Sequence, residues 1–218
     1  MFPLNSVLFP GMTLSLHVFE DRYRALVHHL LTISDRADRL FGIVAIREGF
    51  EVGAQGVQSV HRVGCVAQMT TVEPAEDGRF DIEVVGRERF HLQSMDASGP
   101  YLVGTVETLP PGAAAATGTT DEARRTREVF EVYRRRLSDL RGTDVLDVAL
   151  PDDPEYLSYT LAATCLLTLR ERQALLETSS VDERLVMLRL SLREEMRAMR
   201  AIPSLPATEV ARTGWSPN

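Results

Sequence analysis

The hydrophobic period of this chain changes once, across residues 110–118, and that change restricts the fold more than any single motif. Up to Leu109 the apolar residues come in short runs, several alternating with polar ones; from Thr119 onward they recur every three or four residues. A period of two suits a strand with one buried face, and a period near 3.6 suits a helix. The chain therefore reads as a strand-rich part followed by a helical one, an α+β protein. Between them, Pro110 to Gly118 is Pro-Pro-Gly-Ala-Ala-Ala-Ala-Thr-Gly, which has little to bury and reads as a flexible linker. The expected organisation is a β-barrel subdomain over 1–109, the linker over 110–118, a helical subdomain over 119–206 and a disordered tail over 207–218. That tail follows Pro203-Ser204-Leu205-Pro206 and carries the single tryptophan, Trp215.

In the first part, Leu14, Leu16 and Val18 alternate with Thr13, Ser15 and His17, as in a half-buried strand. Phe19, Tyr23, Leu26, Val27 and Leu30 then fall on one helical face. Further strands are expected over 40–46, 60–71, 80–85, 89–93 and 101–106, separated by turn signals at Arg47-Glu48-Gly49, Asp77-Gly78 and Ser98-Gly99-Pro100. Asp77-Gly78 marks a hairpin, and Gly86-Arg87-Glu88-Arg89 reads as a corner joining two strands. Many short strands with one inserted helix predict a small closed or partly closed barrel.

In the second part, Thr119-x-x-Glu122, Thr168-x-x-Glu171 and Ser180-x-x-Glu183 are capping-box patterns. Asp153-Pro154 is a cap residue followed by proline at the first helical position. These starts predict about four helices. Phe130, Tyr133, Leu137 and Leu140 form one apolar stripe, and Val181, Leu185, Leu188, Leu192, Met196 and Met199 another. Stripes at this spacing are packing surfaces rather than cofactor sites.

Composition removes whole classes of chemistry. All 24 basic residues are arginine, and the formal net charge is −7. Arginine keeps its proton near neutral pH, so no side-chain amine is present to act as base, Schiff-base former or phosphate-gripping point charge. His28 and His29 are adjacent on a helix and point about 100° apart, while His17, His61 and His91 show no zinc-ligand spacing. Cys65 and Cys165 are too few for a disulfide framework and read as reduced thiols of a cytoplasmic protein. There is no G-x-S-x-G elbow, and Gly49-Phe50-Glu51-Val52-Gly53 fits neither a dinucleotide fingerprint nor a phosphate cradle. No catalytic, cofactor-binding or metal-binding residue is expected. Arg134-Arg135-Arg136, the densest basic cluster, fans around a helix axis and reads as a solvated face. The opening residues lack a basic, then apolar, signal pattern. The longest nearly uncharged apolar stretch, Tyr159 to Leu169, reaches about half of a bilayer span, so no membrane association is expected.

Pro3, Leu4, Phe9, Pro10 and Gly11, followed after a short run by Phe19, Glu20, Arg22 and Tyr23, keep the order Pro-Leu, Phe-Pro-Gly, Phe-Glu-x-Arg-Tyr. With Phe41-Gly42-Ile43-Val44, Val63-Gly64-Cys65-Val66-Ala67 and Val84-Val85-Gly86-Arg87-Glu88-Arg89-Phe90, this series resembles the N-terminal substrate-binding domain of Lon proteases over about residues 1–205. The resemblance implies a six-stranded PUA-like pseudo-barrel with one inserted helix, followed by a helical subdomain. It also implies a role in holding unfolded or degron-bearing polypeptides for an ATPase and peptidase. Without lysine, these 218 residues contain neither a G-x-x-x-x-G-K-[ST] phosphate loop nor the serine–lysine pair of a Lon peptidase. The expectation is a solitary, non-catalytic binding module, with a protease acting in trans as a candidate partner.

The nine motif residues also have mechanical readings. Proline and glycine in Phe9-Pro10-Gly11 set a sharp turn. Phe19 and Tyr23 stand one turn apart for an aromatic pair, and Glu20 and Arg24 are spaced for an i,i+4 ion pair. They are expected to be mainly scaffold, with some as candidates for lining a groove. Two other readings compete. PUA-like barrels also bind RNA, but residues 1–110 carry nine arginines against fourteen acids, a poor surface for neutralising phosphates. A hydrolase using Cys65 or Cys165 has no local pattern in its favour.

Overall fold

The computed structural model describes residues 1–49, 57–112 and 119–201. The tail over 207–218 with Trp215, and Phe50 to Gly53, lie outside the described residues. The fold is α+β and divides into two compact units, one over Met1–Pro111 and one beginning at Gly112.

The first unit holds seven strands in one mixed sheet among the described residues: β1 (Phe2–Leu4), β2 (Thr13–Val18), β3 (Leu40–Gly49), β4 (Val57–Val60), β5 (Val63–Pro74), β6 (Phe80–Asp96) and β7 (Val103–Thr108). Helix α1 (Asp21–Leu31) is inserted after β2. The sheet order is β1-β3-β5-β6-β2, with β4 on β3 and β7 on β6. Among the described residues, only the β1–β3 pair is parallel.

The expected six strands differ from these seven for physical reasons. The three residues of β1 are too few to show a period, and β4 pairs only with the far end of β3. Arg47-Glu48-Gly49, expected as a turn, continues β3 through two register shifts. The segments 80–85 and 89–93 are one 17-residue strand. Gly86 to Arg89 is therefore not a corner between strands. Opposite it, Cys65 pairs with Arg89 and Ala67 with Gly86, so three steps of β6 face two of β5. That bulge bends β6 without ending it. Its first half pairs with β2 and its second half with β7.

The Asp77-Gly78 hairpin forms as its residues demand. Gly78 takes φ of +80°, its N–H donates to Ala75 O at 3.0 Å, and Glu73 and Pro74 face Asp81 and Phe80. On α1 the buried residues are Tyr23, Leu26, Val27 and Leu30, and they pack with Leu16, Ile43 and Val84 of the sheet. Phe19 precedes the helix and is only half-buried.

The second unit has four helices among its described residues: α2 (Thr119–Arg141), α3 (Pro154–Thr164), α4 (Leu169–Glu177) and α5 (Val181–Ala201). The stripe on α5 is buried throughout; on α2, Phe130, Tyr133 and Leu137 are buried while Leu140 is exposed. Three buried polar contacts hold elements together. The Thr126 hydroxyl, 2.7 Å from Glu122 O of its own helix, also lies 3.3 Å from Leu185 O of α5, Leu166 N–H donates to the Tyr133 hydroxyl, and Arg184 is buried whole. The caps differ in completeness. Thr168 and Glu171 form both bonds of a capping box, and Asp153 accepts from Tyr156 N–H at 2.9 Å. Ser180 accepts from Glu183 N–H. At α2, Thr119 is already helical and Glu122 is taken by Arg125 and Arg189.

Candidate binding site

Of the motif residues, Pro3, Leu4, Phe9, Pro10 and Tyr23 are buried. Pro3 and Leu4 are buried in β1, opposite Val44 and Ala45 of β3. Phe9 is fully buried and Pro10 is buried beside it. Met12 N–H donates to Phe9 O at 3.1 Å and Gly11 takes φ of +77°, as a tight turn with glycine at its third position requires. The turn is docked on the bulge of β6: Gly11 N–H donates to Gly86 O at 2.8 Å, and Gly86 N–H donates to Met12 O at 2.9 Å. Two motifs distant in sequence are thus one structural joint.

The second half of the motif surrounds the start of α1. Tyr23 stacks on Phe2, with ring centroids 4.0 Å apart and planes 11° from parallel. Phe2, rather than Phe19, is its stacked partner; the Phe19 ring lies 6.3 Å from that of His17. The Arg22 guanidinium lies 4.5 Å from the Tyr23 ring centroid, close enough for a cation–π contact. Glu20 pairs with Arg22 at 3.0 Å, and Arg24 pairs with Asp21 at 3.1 Å, so the Glu20–Arg24 pair is not formed. The reason is local: Glu20 lies outside the helix at its cap position, where a spacing of four no longer brings side chains together. Its carbonyl does accept from Tyr23 N–H and Arg24 N–H. Phe19, Glu20, Asp21 and Arg22 line an open cleft of about 430 Å³. Of the nine motif residues, Phe19, Glu20 and Arg22 reach it; Pro3, Leu4, Phe9, Pro10 and Tyr23 serve the interior.

Among the described residues no three metal-ligating side chains converge. His28 and His29 are exposed, and their rings lie against Phe80 and Tyr101. Cys65 is fully buried, and burial pushes its thiol up to about 12, only partly opposed by the Arg87 backbone and the Arg89 charge. At that value about one thiol in 10⁴ is ionised at pH 8. Iodoacetamide at pH 8 is expected to leave Cys65 unmodified in the native protein and to alkylate it in urea, as read by mass spectrometry. Fast native alkylation of Cys65 would show that the thiol is neither enclosed nor neutral.

Sequence reasoning missed Phe2 as the stacking partner and Arg89 as a buried arginine, 2% exposed, that donates to Pro110 O at 3.0 Å. A buried arginine carries no local signature; the apolar character of Phe2 was visible, but not its partner.

Comparison with known proteins gives the same arrangement a family. The family model of the ATP-dependent protease La (LON) substrate-binding domain matches residues 1–194. Lon protease 2 of Herpetosiphon aurantiacus is 29% identical over 196 residues, which is 88% of this chain and 23% of that protein. The Lon protease of Escherichia coli K12 is 28% identical over 207 residues, 90% of this chain and 24% of that protein. The chain thus spans less than a quarter of the length of these relatives. Among solved structures, the Lon N-terminal domain protein from Xanthomonas campestris superposes with a TM-score of 0.61 at 23% identity, covering 86% of this chain and 94% of that one. The N-terminal domain of the Mycobacterium avium complex Lon protease superposes with a TM-score of 0.63 at 20% identity, covering 84% and 91%.

Proposed function

The chain belongs to the ATP-dependent protease La (LON) substrate-binding domain family, and on that premise we propose that it is a non-catalytic module that binds unfolded or degron-bearing polypeptides. One observation carries the reading: the matched model is that of the substrate-binding domain, and it takes in residues 1–194. In this reading the motif residues are mainly scaffold and Phe19, Glu20 and Arg22 line the binding groove, a role supported by the open cleft they border at the start of α1. These 218 residues hold no lysine for a phosphate loop or a serine–lysine peptidase, and a Lon-type protease acting in trans is the partner that fits this reading. No described helix is long and apolar enough to cross a membrane.

Titration with reduced, carboxymethylated lactalbumin, followed by crosslinking or NMR shift mapping, tests this. A module of this size offers a modest apolar groove, so saturable binding is expected with Kd between about micromolar and millimolar. Shifts that grow without saturating, for this and other unfolded chains, would remove the proposal. An RNA-binding function predicts instead a shift with RNA that weakens steeply with salt.

A further inference from the structure

Along the seam between α2 and α5, Val132 and Arg136 of α2 face Arg193, Met196 and Arg197 of α5 across an open groove of about 190 Å³. Met196 is nearly buried and Val132 is 37% exposed, so the groove has an apolar floor. Arg136 is half-buried, and Arg193 and Arg197 are exposed. We propose that this groove binds an acidic polypeptide segment, seating one large apolar side chain on Val132 and Met196 while Arg136, Arg193 and Arg197 take its flanking carboxylates. The proposal rests on the polypeptide-binding reading above and adds, beside the cleft at the start of α1, a second place with its own chemistry.

Charge complementarity carries the choice of occupant. Four other arginines on these two helices have carboxylate partners: Arg124 with Glu128 at 2.8 Å, Arg134 with Glu131 at 3.2 Å, and Arg125 (2.9 Å) and Arg189 sharing Glu122, while Arg135 donates to the Glu131 carbonyl. Among the described residues Arg136, Arg193 and Arg197 have no ion pair or hydrogen bond. Asp139, three residues beyond Arg136, does not pair with it, and Glu195 lies instead in the field of Glu171 on α4. In a chain with 31 acids and 24 bases, three arginines lining one groove with no ion pair among the described residues leave it locally positive. A bound carboxylate meets that charge and gains charge-assisted hydrogen bonds that arginine geometry favours. The arginine stems extend the apolar floor, so an apolar side chain between acidic ones is matched along its length.

Nucleic acid fits less well. Useful non-specific affinity needs on the order of six phosphate contacts, and this groove has three arginines and no aromatic ring for a base to stack on.

Fluorescence anisotropy with a short labelled peptide of leucine, glutamate and serine tests the assignment, with two matched peptides carrying lysine in place of glutamate and serine in place of leucine. The full chain should prefer the leucine–glutamate peptide to each control by about tenfold, with an advantage that falls as salt is raised. Replacing the arginines together, Arg136→Glu, Arg193→Glu and Arg197→Glu, should cost at least about tenfold for that peptide and reverse the preference toward the lysine peptide. The reversal is a gain that a misfolded variant does not produce, and the milder Arg→Gln set at the same positions should fall between. Carboxymethylated lactalbumin is titrated in parallel. If it binds the original and charge-reversed proteins alike, polypeptide binding stands and the groove assignment is overturned; if it binds neither, both readings fall. A charge-reversal effect confined to RNA binding, or to self-association in sedimentation, also overturns the groove's assignment to an acidic segment.

Discussion

Gly86→Ala is expected to destabilise the Met1–Pro111 unit by about 3 kcal/mol, near the upper end of the usual cost of overpacking. A methyl group built on Gly86 would stand 2.2 Å from the Phe9 carbonyl oxygen, 2.8 Å from its carbon and 3.1 Å from the Cys65 sulfur. Two of these neighbours are backbone atoms, so no side-chain rotation relieves the clash. Either the turn at Phe9-Pro10-Gly11 lifts away or β6 moves. Lifting the turn breaks the Gly11–Gly86 and Gly86–Met12 hydrogen bonds and draws Phe9, fully buried, toward water. Hydrogen exchange resolved by peptide is the measurement, since it reports on each unit separately. Amides of β5 and β6 should lose protection while those of α2 and α5 keep theirs. Gly99→Ala is the control: its nearest contact would be Tyr101 O at 3.7 Å, and its effect should stay within about 0.5 kcal/mol. Equal effects at the two glycines would show that the turn does not depend on close approach at Gly86.

That joint also shows how far the sequence could be read. Phe9-Pro10-Gly11 was legible because its requirement is local: one fixed φ and one positive φ. Asp77-Gly78 was legible for the same reason. Gly86 reads as a corner, because glycine among charged residues is the signature of a turn. Its real constraint is the carbonyl of a residue far away in sequence, which no local pattern records. The aromatic stripe of α1 placed Tyr23 correctly but not its partner, since Phe2 lies in a strand too short to have a period. Likewise, Arg136 reads as part of a solvated run. Its placement beside Arg193 and Arg197 needed the packing of α2 against α5, which the two apolar stripes foretold without fixing rotation about the seam. What the sequence showed least was which arginines are interior, because arginine reads as surface wherever it stands.

Arg184 is the extreme case, and Arg184→Ala is expected to destabilise the helical unit by about 3–5 kcal/mol. The side chain is wholly buried on α5. Its Nε donates to the Ser158 hydroxyl of α3 at 2.8 Å, and its Nη1 donates to Thr178 O, just past α4, at 2.7 Å. The guanidinium lies 4.3 Å from the Tyr159 ring centroid and 3.6 Å from the Glu155 carboxylate. That carboxylate in turn accepts from Gly112 N–H at 2.7 Å and from the Tyr159 hydroxyl at 3.2 Å. One side chain thereby ties α3, the end of α4 and α5 together, and through Glu155 it reaches the segment entering the unit. Truncation leaves a cavity and strands the Thr178 carbonyl. The Glu155 side chain is 24% exposed and keeps some contact with water, so the lost attraction is worth less than in a dry pair. The cavity and the stranded polar groups should therefore dominate. Arg184→Met, which refills the volume without the donors, should recover part of the loss. Adding Glu155→Gln to Arg184→Met should recover little more, because water already moderates that charge. Urea unfolding read by hydrogen exchange over α2 to α5 distinguishes these contributions. A large gain from Glu155→Gln would mean that the stranded carboxylate, and not the void, is what the helical unit cannot tolerate.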